Sequence, residues 1–105
     1  MFNSDLKKII KDSLEAALKV ASLREALEIV SESVIEYYPD KKIWFTKCFG
    51  KREEFIAGAG KDSFLPPEKI QLTDKYSVFL QNFSDLSYEE KETIISGCKL
   101  LINSF

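Results

Sequence analysis

Few side chains in this chain could do chemistry, and their spacing argues against a reaction centre. Glu53 and Glu54 form an adjacent acidic pair, but neighbouring strand residues project to opposite faces, so the two carboxylates would not converge on one substrate. There is no histidine, which removes the commonest general base and metal ligand and leaves no Ser-His or Cys-His nucleophile. The four glycines compose neither a phosphate loop nor a dinucleotide fingerprint. Cys48 and Cys98 show no pairing pattern and read as small buried hydrophobes in a reducing compartment. The expectation is a protein that is not an enzyme, with no cofactor and no metal site.

Two binding constellations stand beside that expectation. Lys41, Lys42, Lys47, Lys51 and Arg52 are interleaved with Trp44, Phe45 and Phe49, the mixture that base stacking and phosphate contacts require. The same pattern arises when aromatics fill a core and cations mark strand ends and a turn, which is the reading preferred here. Nucleic acid, or an acidic protein, is therefore the alternative partner of the hairpin over residues 41–52. Trp44, Thr46, Cys48, Phe64, Tyr76 and Gln81 could line a small-molecule pocket on a sheet face, with the stretch from Lys61 to Glu68 as its lid. In a short chain those side chains are also wanted for packing.

The elements that would position these groups follow from periodicity. Leu6, Ile9, Ile10, Leu14, Ala17 and Leu18 recur at helical spacing after Ser4, a candidate cap. Ser22-Leu23-Arg24-Glu25 reads as a capping box that restarts the helix. Leu23, Ala26, Leu27, Val30, Val34 and Tyr37 then form one stripe until Pro39 stops it. Ile43 to Phe49 and Glu53 to Ala59 predict an antiparallel hairpin around Gly50-Lys51, with the first strand central because both of its faces are apolar. Gly58 and Gly60 mark either a close backbone approach or the strand's end. Ile70 to Thr73 and Tyr76 to Phe83 predict a second hairpin around Asp74-Lys75. Ser87-Tyr88-Glu89-Glu90 is another capping box, opening a helix with Ile94, Ile95, Cys98, Leu101, Ile102 and Phe105 on one side.

These elements predict an α+β fold: an antiparallel sheet of about four strands in two hairpins, with N-terminal helices and a C-terminal helix packed on one face. At 105 residues, 45% hydrophobic, the chain is one domain, with residues 1–21 as an N-terminal, possible interaction, helix and 22–105 as the core. Ala26-Leu27-Glu28-Ile29-Val30 leads through Tyr37-Tyr38-Pro39-Asp40 into Ile43-Trp44-Phe45-Thr46. Phe55-Ile56-Ala57-Gly58-Ala59-Gly60 follows, and Leu86-Ser87-Tyr88-Glu89-Glu90 opens a helix ending in Cys98-Lys99-Leu100-Leu101-Ile102. In this order the chain resembles a small, shortened GAF domain, the sensory and regulatory module related in architecture to PAS domains. It differs from the family in the short segment around Pro66-Pro67, and its two cysteines do not reproduce the set with which some GAF-like proteins reduce methionine sulfoxide. The resemblance implies a noncatalytic regulatory, sensory-type or dimerisation module of a signalling or transcriptional control system. It also implies terminal helices that pass a signal to an effector domain or protein partner.

Composition bounds the partners. Fifteen basic and seventeen acidic residues give a net charge of −2, with no general attraction for nucleic acid or anionic lipid. No apolar run has the form of a signal peptide or a membrane span, so a soluble cytoplasmic protein is expected. The first helix carries more large apolar residues than one sheet contact requires. Leu6, Ile10 and Leu14 repeat every fourth residue as a ridge, and with Ile95, Ile102 and Phe105 they are the expected contacts of a homodimer.

Overall fold

Ser22 begins the part of the chain that builds the core. Its Oγ accepts from the Glu25 amide at 3.2 Å, capping a helix that runs over Leu23–Tyr37. Only this half of the expected capping box forms. In the computed structural model, which describes residues 2 to 105 with side chains from Asp5 onward, the elements are α1 (Phe2–Ala17), α2 (Leu23–Tyr37), β1 (Lys42–Phe49), β2 (Arg52–Gly60), β3 (Glu68–Gln71), β4 (Tyr76–Gln81) and α3 (Tyr88–Ser104). The α+β class and its four-stranded antiparallel sheet are thus as the periodicities predict. Helix α1 starts ahead of Ser4, which lies inside it; the Ser4 side chain lies outside the described residues.

The strand order is β2-β1-β4-β3, which makes β1 central. Alternation along β1 puts Ile43 and Phe45, both fully buried, on the face towards the helices, and Trp44, Thr46 and Cys48 on the other. Opposite Ile43 and Phe45 stand Leu80 and Val78 of β4, also buried. The β1–β2 register slips between Phe45 and Thr46, which pair with Ala57 and Phe55 and leave Ile56 bulged. Arg24 of α2 donates from Nε to the Ile56 carbonyl at 3.2 Å, so the bulge fixes where α2 meets the outer strand and occupies one acceptor of an open sheet edge.

The two glycine readings both hold. A Cβ on Gly58 would sit 2.6 Å from the Trp44 Cβ, and one on Gly60 would sit 2.2 Å from the Lys41 carbonyl oxygen. Gly60 also ends β2 at φ +114°. Because β2 and β3 occupy opposite edges, the segment between them must cross the sheet. It does so over the face away from the helices, where Gln81 Nε2 donates to the carbonyls of Ser63 and Leu65, and Lys42 pairs with Asp62.

Helix α2 lies against β2 and β1, while α1 packs on α2 and α3 rather than on the sheet. Its inward face is Leu6, Ile10, Ser13 and Ala17. This corrects the expected ridge of Leu6, Ile10 and Leu14 turned outward to a mate: Leu6 and Ile10 are buried and Leu14 is half-buried. Spacings of four, three and four follow the 3.6-residue repeat better than a strict fourfold ridge. Ser13 completes the face because its hydroxyl donates to the Ile10 carbonyl at 2.9 Å, so it can be buried without an unmet donor. Ile94, Cys98, Leu101 and Ile102 of α3 join the same core.

Candidate functional site

The expected small-molecule pocket is only partly assembled. Trp44, Thr46, Cys48 and Gln81 share the sheet face away from the helices, but Tyr76 pairs with Lys47 in the register of the opposite face. Phe64 is fully exposed on the crossing segment and lines no wall. Trp44 is instead stacked on its cross-strand neighbour Phe79, with ring centroids 5.0 Å apart and planes parallel. Lys42 lies over Trp44 and Lys69 over Phe79, at 5.2 and 5.8 Å. The Thr46 hydroxyl is buried without a hydrogen-bond partner among the described residues. The crossing segment is tied to the Lys42–Gln81 end of this face.

Three of the hairpin's five cations, Lys41, Lys42 and Arg52, have carboxylate partners, while Lys47 and the exposed Lys51 form no ion pair among the described residues. Lys41 is 2% exposed and donates to the Asn82 carbonyl at 2.8 Å and to Asp85 Oδ1 at 2.7 Å. Its ammonium also lies within 5.7 Å of the Tyr38 ring and 5.6 Å of the Phe83 ring. Lys42 is held by Asp62, and Arg52 by Glu54 at 3.0 Å. Lys47 lies over the rings of Phe49 and Tyr76. Of the interleaved aromatics, Phe45 is core. With three of its five cations paired, the hairpin presents a broken row rather than the continuous one that base stacking and phosphate contact need, and Phe49 is the exposed ring beside Lys47.

Groups with displaced pKa values occupy structural positions. Burial and a hydrogen bond to Glu90 push the Tyr38 hydroxyl up, while the Ser87 amide and then Tyr38 hold the Glu90 carboxyl down. Glu90 is the acidic member of the capping box that starts α3, with its counterpart Ser87 Oγ accepting from the Glu90 amide at 3.2 Å. Lys41 holds the Asp85 carboxyl down, and Lys69 does the same for Glu53. Burial alone pushes the Cys98 thiol up to about 12, which makes it a packing residue rather than a nucleophile. Cys48, half-buried, donates to Glu53 at 3.6 Å. Glu53 and Glu54 stand opposite Cys48 and Lys47 respectively, on different faces.

Of the six residues expected at a dimer seam, Leu6, Ile10 and Ile102 belong to the chain's own core, at 0%, 4% and 7% exposure. Leu6 and Ile102 are therefore spent on the chain's own packing, and Ile10 reaches the surface only at the base of the groove described next. Leu14 and Ile95 are half-buried and Phe105 is exposed.

What the terminal helices do leave open is a groove of about 620 Å³ between α1 and α3. Gly97 makes it possible: a Cβ there would fall 2.7 Å from Ile10 Cγ2, so the missing side chain lets the two helices approach and forms the groove's floor with Ile10. Leu14, Leu18 and Leu100 supply its apolar surface, with Leu18 and Leu100 about half exposed. Lys7 and Lys11 edge the α1 side and Glu92 the α3 side, with Glu15 also on α1. The sequence signal for it was Leu100-Leu101-Ile102, a run of three apolar residues of which a helix buries only two. Leu100 is the one left out.

Compared with models of known protein families, with curated proteins and with solved structures, the chain matches none.

Proposed function

We propose that this protein is a noncatalytic interaction module of the regulatory kind, resembling a shortened GAF domain, and that its working surface is the face formed by α1 and α3. The observation that carries this reading is the apolar groove between those helices. Leu18 and Leu100 stand in water there, beside the half-buried Leu14, although the core is already closed beneath them by Leu6, Ile10, Cys98 and Leu101. Contiguous apolar surface rimmed by charge marks a place where another molecule sits. The GAF-like label draws its support from the order helix, helix, hairpin, crossing segment, hairpin, helix.

Replacing Leu18 and Leu100 together with glutamine tests the proposal. Expressed in place of the natural chain, L18Q/L100Q should accumulate at the wild-type level but lose the higher-mass species in which the wild type migrates on native size separation. A wild-type chain that runs in its own cell extract as a lone species of 12.0 kDa, with the variant indistinguishable from it, would overturn the reading.

A further inference from the structure

We infer that the occupant of the α1–α3 groove is a second copy of this chain, bound about a twofold axis so that α1 of each protomer lies against α3 of the other. The inference rests on the reading just given and adds the identity of the partner. Its basis is the charge of the two walls. Lys7 and Lys11 stand on the α1 wall and Glu92 on the α3 wall, and none of the three makes an ion pair within the chain among the described residues. A twofold operation lays each wall on the opposite wall of its mate, so the lysines of one protomer meet the Glu92 of the other, twice. A uniformly acidic partner would meet Glu92 and Glu15, and a uniformly basic one would meet Lys7 and Lys11. The surface that answers this arrangement of charges is the same surface turned over. Leu14, Leu18 and Leu100 then pack on their counterparts.

The size of the face sets the strength. Helices of 16 and 17 residues are about 25 Å long, and two side by side are about 20 Å wide, a footprint of roughly 500 Å² per protomer. Stable complexes bury about 800 Å² per partner. The dimer is therefore reversible, with a dissociation constant in the micromolar range and a strong dependence on ionic strength.

Sedimentation equilibrium of the purified chain between 5 and 500 micromolar (roughly the range such a footprint implies), with charge-reversed variants, tests this. The wild type should dimerise, more weakly in high salt. K7E/K11E and E92K should each associate at least about tenfold more weakly alone, because the introduced charges face like charges on the mate. Mixed together, the two variants should form a heterodimer of near wild-type strength, since both wall contacts are again of opposite sign. Circular dichroism on each variant establishes that it is folded. A mixture no stronger than its components, or a wild type that stays monomeric throughout, would overturn the second copy as occupant. If such a monomer still entered a larger complex in its own cell extract, sensitive to L18Q/L100Q, the interaction reading would stand with a different protein as partner. With no such complex, both fail.

Discussion

Lys41 shows how a single residue can read as functional in sequence and prove structural. It belongs to the cationic run that begins the first hairpin, yet it is buried, with its ammonium shared between the Asn82 carbonyl and Asp85 and flanked by the Tyr38 and Phe83 rings. Asn82 is held at φ +69° in the turn that follows β4, and its own side chain donates to the Asp40 carbonyl at 3.0 Å. Lys41 thus ties the end of α2 to the segment that leads into α3. Lys41→Met keeps the bulk and removes the charged donor, and should cost about 2 kcal/mol in urea unfolding, the usual worth of hydrogen bonds to a charged group. The pH dependence has a definite sign. Asp85 is held below its ordinary value by Lys41, so its contribution is complete above the normal carboxylate range and is lost as pH falls through the depressed value. Wild type should therefore lose more stability than K41M between about pH 5 and pH 3. Equal losses would remove Asp85 as the partner that matters. No sequence pattern separates Lys41 from Lys42, because the distinction depends on a contact 44 residues away.

Among the elements, local signals placed most boundaries, and the exceptions have identifiable causes. The expected strand to Thr73 stops at Gln71 because the Thr73 hydroxyl accepts from the amides of Lys75 and Tyr76, holding a turn in place of a ladder. The expected strand to Phe83 stops at Gln81 because Asn82 enters the left-handed region. The Ser22 and Ser87 helix starts were legible because capping chemistry is confined to four consecutive residues. The rotation of α1 was not, since it depends on Gly97 of a distant helix as much as on its own stripe. Gly97 carries a prediction at this scale. Glycine to alanine in a helix ordinarily gains about 1 kcal/mol, but here the added methyl overlaps Ile10 Cγ2, a branch carbon with little freedom to move. Gly97→Ala should show none of that gain, and Gly97→Val should lose about 2 to 3 kcal/mol through overpacking. Urea unfolding checks both. A Gly97→Val chain as stable as wild type would mean that α1 and α3 are not in close contact.

At the scale of the whole molecule, the layered arrangement was legible and the working surface was not. Hydrophobic periodicity identifies which residues turn inward, but the exposed remainder becomes a surface only once two helices distant in sequence stand side by side. Leu18 and Leu100 have nothing in common until Gly97 brings α1 against α3. The candidate pocket is only partly assembled for a related reason: Tyr76 lies on the opposite sheet face, and Trp44 stacks on Phe79. Among the described residues no helix is long and apolar enough to cross a membrane. The central claim is that the α1–α3 face is where this protein meets its partner, and amide chemical shifts of the isotope-labelled wild-type chain, followed as its concentration is raised, test it most directly. The account predicts concentration-dependent shifts confined to residues 7–18 and 92–100. Shifts centred instead on Trp44, Phe79 and Lys69 of the opposite sheet face would contradict it, whereas a spectrum that does not change with concentration would remove the second copy as the occupant of that face.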